Sequence, residues 1–340
     1  MLRRLLIIIG GLWVVIILVL VGSFVVNGGK SVNASQRYTV SRLFASATAF
    51  GTDSAVFSNG QELATYNYTD GQAKPLSSDV GLNYIDSVSV SPNDQYVVFH
   101  DQYVTQSGTL ASQLRVGGLD PTLDYWWVFN VQKQTYQPLP QNVLITKVDN
   151  DHVYALAYNS SSGEVITTYQ IANLQKIATI SIPGSTNFFA TQNGFLLQAT
   201  GNKVLLTKDG VVNKQLFTSA VLVGVSADGQ TAVAVRTQNG TQSLEDVNLQ
   251  SNVSTTVASK LAGAPAWLNS GVALYLTSDG KLSSYNTTTN KAYTWRLSDS
   301  LNPTSTKLVG LLGSSAALIN DSSGNYYLIG NNLAPTKAVE

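Results

Sequence analysis

Two histidines, twenty carboxylates and no cysteine make up most of the reactive chemistry available to this 340-residue chain. His100 and His152 are the whole supply for a histidine metal site or an imidazole acid–base pair. His152 closes the run Asp149-Asn150-Asp151-His152, whose side chains are oxygen donors of the kind calcium takes. No glycine-bearing calcium loop and no distant bidentate glutamate follows it, and it sits where a hairpin should turn, so it reads as a turn. The lack of cysteine removes thiolate nucleophiles, zinc–thiolate sites and disulfides together. No Gly-x-Ser-x-Gly elbow occurs, and no cofactor motif. Glycoside hydrolysis would need two carboxylates facing each other across a cleft. Many of the acidic residues lie in turn-like dipeptides instead, as at Asp209, Asp228 and Asp279.

Contact chemistry is better represented. Tyr125, Trp126 and Trp127 are consecutive, and Tyr103, Arg115 and Asp120 lie just before them. Adjacent residues of a strand point to opposite faces. The two tryptophans must therefore divide between two surfaces, unless the strand bulges. Either each packs against a different neighbour, or one is exposed and stacks on a sugar ring or anchors a peptide. Tyr103, Arg115, Asp120, Tyr125 and Trp126 are the candidate partner contacts. Trp267 and Trp295 are assigned to cores.

The elements that position these residues are short. Runs of β-branched and aromatic residues are broken by tight-turn pairs such as Asn93-Asp94, Asp228-Gly229, Asn239-Gly240 and Asp279-Gly280. Such pairs accept the positive φ that tight hairpins require. A longer repeat lies over the hairpins: an aromatic or apolar residue, then Asn or a similar polar residue, then a polar turn. It centres on positions 67, 130, 170, 207, 248, 286 and 330. The intervals are 63, 40, 37, 41, 38 and 44 residues. A period near forty, with about four strands per unit, is the signature of a β-propeller. The expected fold is all-β, a seven-bladed β-propeller, with six or eight blades left open. The blades run 45–78, 84–140, 143–183, 186–217, 219–258, 262–297 and 306–338. The segment Tyr38 to Ala45 is available to close the ring by pairing with the last blade. The 63-residue interval marks an insertion near 101–124, expected as an extended hairpin or a rim loop that meets a partner. Its deletion over 103–123 is expected to leave a folded domain.

At this point the residues resemble a family. Val88-Ser89-Val90-Ser91-Pro92-Asn93-Asp94-Gln95-Tyr96-Val97-Val98-Phe99 is similar to the repeat of TolB-like and WD40-like prokaryotic propellers. A degenerate copy runs from Val225 to Val235. The resemblance implies a propeller that binds or scaffolds. The chain lacks the appended hydrolase domain of propeller peptidases, so that activity is not implied.

The first 44 residues read differently. Arg3 and Arg4 precede an uncharged apolar run, Leu5 to Val26. As a helix it would rise about 33 Å, enough for a hydrocarbon core of about 30 Å. It is longer than a cleaved signal's apolar region, and Val26-Asn27-Gly28-Gly29-Lys30 is a poor cleavage site. The expectation is a single-pass anchor at 5–26, residues 1–4 in the cytoplasm, a polar linker at 27–44, and the domain at 45–340 outside. Without the two N-terminal arginines the chain carries 18 basic and 20 acidic residues, with no basic stripe for nucleic acid. Sequons at Asn33, Asn67, Asn159, Asn239, Asn252, Asn286 and Asn320 agree with an external face. The expected role is a tethered module that binds an envelope or surface protein or a glycan. The alternative is a carbohydrate hydrolase or lyase at the mouth of the central channel. Carboxylates and aromatics converging on one channel end would favour that alternative.

Overall fold

Each strand of the structure pairs antiparallel with its neighbour in the chain, as expected for successive hairpins. This computed structural model describes residues between 47 and 337. Residues 1–46, 338–340 and short connecting stretches such as 103–107 lie outside the described residues. The anchor Leu5 to Val26, the segment Tyr38 to Ala45 and the candidate contact Tyr103 are therefore outside them. Among the described residues no helix is long and apolar enough to cross a membrane.

Among the described residues the strands form seven four-stranded sheets, each from one continuous stretch of chain. They span 47–75, 85–138, 143–181, 185–217, 220–259, 266–296 and 307–337. The first strand of each sheet lies against the first strand of the next. These first strands are thus the inner staves of a β-propeller. Among the described residues the first and last sheets exchange no strand.

Strand alternation explains the packing. In the second sheet Val97, Phe99, Trp127 and Phe129 face the first sheet, whereas Val98, Trp126 and Val128 face the third. The same division recurs around the molecule. Leu156 and Ile166 meet Phe188 and Phe195 between the third and fourth sheets. Val233 and Leu244 meet Ala273 and Tyr275 between the fifth and sixth. A sheet with two apolar faces, such as the second, can bury them only against two neighbours. Fourth strands are the exception: Lys176–Ser181 and Ser254–Ser259 are largely exposed, as an outer edge must be.

The forty-residue period has a local cause. Third strands end in Asn130, Gln170, Asn248 and Asn286. The backbone carbonyls of Asn130, Gln170 and Asn248 accept from the amide four residues on, at 2.9, 2.8 and 2.8 Å. Gln134, Leu174, Asn252 and Asn290, each four residues on, take positive φ. The side chains of Asn248 and Asn286 also accept from the amides two and three residues ahead. One turn repeated at one place in the sheet therefore writes the repeat.

The insertion departs from expectation. It is neither an extended hairpin nor a free rim loop, because Thr109–Val116 is an α-helix. Leu110, Ala111 and Leu114 fall on one helical face and are fully buried with the core of the first two sheets. Arg115 and Val116 point outward. The amide of Gly117 donates to Gln113 and that of Leu119 to Leu114, closing the helix where Gly118 takes φ +71°. An eight-residue helix has little stability of its own, so the buried leucines hold it. Deleting 103–123 would open this core.

Candidate functional site at the channel mouth

Antiparallel order puts first-to-second and third-to-fourth hairpins at one end of every sheet. The remaining connections, including the insertion helix, lie at the other end. A cavity of about 500 Å³ opens at the hairpin end, between the inner strands of the second to sixth sheets.

Lys147 is the cation of this cavity. It sits on the inner strand Val143–Val148, directly opposite Tyr154 in the register. Its ammonium lies 4.5 Å from the ring centre of Phe189, on the inner strand of the next sheet. Among the described residues no carboxylate is within ion-pair distance of it. Burial holds its pKa below the usual lysine value.

The carboxylates of the mouth are engaged differently. Asp149 Oδ1 accepts from the amides of Asp151 and His152 at 2.8 and 2.6 Å. Its Oδ2 accepts from the Tyr154 hydroxyl at 2.6 Å. Burial, reinforced by that bond and by the charge of Asp149, pushes the Tyr154 pKa far up, so the phenol remains a donor. The run Asp149-Asn150-Asp151-His152 is thus an Asx turn, and Asn150 Oδ1 ties it to the Asn93 amide at 2.9 Å. Asp228 Oδ1 accepts from Ser226 Oγ at 2.5 Å and from the Gln230 amide at 3.1 Å. The same contacts recur at Ser91 and Asn93. The residues carrying the family resemblance therefore build turns.

The far wall is aromatic. Trp267, half-buried on the inner strand Ala266–Leu268, lies flat against Gly224. A Cβ at 224 would fall 2.0 Å from the indole. Only glycine lets the strand pass this close. Val223 and Val225 line the wall between Trp267 and Phe189. Gly229, at φ +68°, lets the fourth- and fifth-sheet hairpins touch, with the Gln192 amide donating to its carbonyl at 3.3 Å.

The residues singled out from the sequence lie elsewhere. Arg115 and Asp120 are exposed, on the opposite rim. Tyr125 and Trp126 are buried, so neither ring is on the surface for a partner to meet. Tyr125 donates to the Asp120 carbonyl and accepts from Gln141. Trp126 donates to the Val143 carbonyl and stacks on His100. Their strand belongs to a sheet packed between the first and third sheets, so both of its faces are covered. Trp295 is in a core, and Trp267 packs against the core between the fifth and sixth sheets while also lining the cavity. Sequence reasoning missed Lys147, Phe189 and Trp267. The one available signal was a lysine inside the apolar run Val143-Leu144-Ile145-Thr146-Lys147-Val148.

The sequence matches no family model and no curated relative. Solved structures show the fold. The β-propeller domain of the Trilobed protease from Pyrococcus furiosus, described as having an open velcro topology, superposes with a TM-score of 0.55 at 7% identity. That match covers 87% of this chain and 97% of that one. The Pyrococcus horikoshii acylaminoacyl peptidase matches with a TM-score of 0.56 at 9% identity, over 87% of this chain and 52% of its own.

Proposed function

We propose that the chain is a binding module: a seven-bladed ring, tethered by Leu5 to Val26 outside the cytoplasm, that takes a partner at its channel mouth. One observation carries this. Both carboxylates of the mouth are held by donors of their own turns, whereas Lys147, Phe189 and Trp267 remain for a ligand. A pocket of this size, in which an apolar stretch lies beside amide, hydroxyl and charged side chains, can take a small ligand or a chain end. The partner is an envelope protein or a glycan, and the tether fixes how far from the membrane it is held. The exposed Arg115 and Asp120 form a secondary contact on the opposite rim.

Photo-crosslinking from position 187 or 115 of the full chain in membranes tests the reading. Partner adducts should form from 187, inside the mouth. Adducts from 115 alone would move the site to the other rim. The enzymatic alternative has its own observation, since Asp149 and Asp228 line the same cavity as three aromatic rings. Glycan cleavage lost in both Asp149→Asn and Asp228→Asn would favour it.

A further inference from the structure

Lys147 has a site's chemistry without its counter-charge. Lys147 is half-buried, and a cation partly withdrawn from bulk water costs stability unless an anion or hydrogen bonds replace the lost water. The contacts found for Lys147 supply an aromatic face, which stabilises a desolvated ammonium only modestly. Lys147 lies two residues deeper in the channel than Asp149, yet Asp149 turns away to its own hairpin amides and to Tyr154.

We infer that Lys147 is an anion subsite for the carboxylate of a ligand whose adjoining group is apolar, that group lying against Val223, Val225 and Trp267. This deepens the channel-mouth reading and rests on it. Three observations narrow the ligand. One ammonium, with no arginine beside it in the lining, balances one negative charge. Asp149 and Asp228 at the lip repel anions in proportion to their charge, which disfavours phosphate-rich ligands more than a single carboxylate. Val223, Val225 and Trp267 give the cavity an apolar stretch for an aliphatic or aromatic group, beside Asn187, Thr191 and Ser226, whose polar atoms can meet the rest of the ligand. Gly224 fixes the indole in place, so the apolar wall is preformed.

Two sources share this chemistry: a free small carboxylic acid and the carboxyl end of a polypeptide with an apolar last residue. Calorimetry on the full chain in detergent micelles separates them. Phenylacetate is compared with phenylacetamide, and a hexapeptide ending in phenylalanine with its C-terminal amide. At least one acid should bind tenfold or more tightly than its amide. Lys147→Met and Lys147→Gln should bring the acid down to the level of the amide, with thermal unfolding no earlier than wild type. Trp267→Ala should weaken acid and amide together. The tighter acid identifies the source. Equal binding of acid and amide, acid binding that survives both lysine variants, or no acid binding at millimolar concentration would overturn the inference. If a neutral saccharide instead binds in a Trp267-dependent way, the carboxylate is wrong and the channel-mouth reading stands. If neither Lys147 nor Trp267 affects any captured ligand, both fail.

Discussion

At the scale of single residues, Lys147 and Asp246 are the two instructive charges. Burial lowers the pKa of Lys147, so its ammonium is less favourable in the folded state than in the unfolded chain. The resulting penalty is present at neutral pH and is relieved as pH climbs from the lowered value towards 10.5. Lys147→Met should therefore melt at or above the wild-type temperature at pH 7, and the difference should shrink at alkaline pH. Asp246 lies between the fifth and sixth sheets and accepts from the Tyr285 hydroxyl. Burial raises its pKa above 3.8, and the tyrosine bond partly offsets this. Its contribution is most favourable below 3.8 and is lost as pH rises through the folded value. Asp246→Asn keeps an acceptor without the charge. Urea titrations should show it within about 1 kcal/mol of wild type at pH 7, or more stable, with the acid-side slope reduced. Asp246→Ala should lose about 1–3 kcal/mol.

At the scale of elements, the insertion helix and the Gly224–Trp267 contact are the tests. Leu114, on the inner face of the helix, is fully buried. Leu114→Ala should cost about 2–5 kcal/mol in denaturant unfolding, a loss no decorative loop would produce. Gly224→Ala has a different signature. Its methyl must displace the indole, so about 1–3 kcal/mol should be lost and the tryptophan emission of the native state should shift. Both elements show how far sequence legibility reached. The turns at Asn130, Asn248 and Asn286 were readable because a turn depends on a few adjacent residues. The helix Thr109–Val116 was not, since an eight-residue helix is decided by the core beneath it. The aromatic triplet was half readable: alternation predicted that Trp126 and Trp127 part company, and they do.

At the scale of the whole molecule, stability comes from face-to-face contacts between successive sheets, and each sheet needs its neighbours. Among the described residues the first and last sheets share no strand. The proposed tether is separable from this architecture. Removing residues 1–30 should release the domain from membranes in flotation assays while leaving its unfolding transition unchanged. A truncated chain that still floats with membranes would remove the anchor's role. Carbonate extraction of the full chain should leave it in the membrane pellet.

The apolar run at Leu5 to Val26 and the forty-residue repeat were determined by the sequence itself, because both are patterns of neighbours along the chain. So was the division of each strand between two faces. Only the tertiary structure decided which residues meet across the ring. Lys147, Phe189 and Trp267 come from three different sheets and share no local pattern. They converge because the inner strands of successive sheets are brought around one axis. The long insertion, the chain's most visible irregularity, was instead drawn into the core.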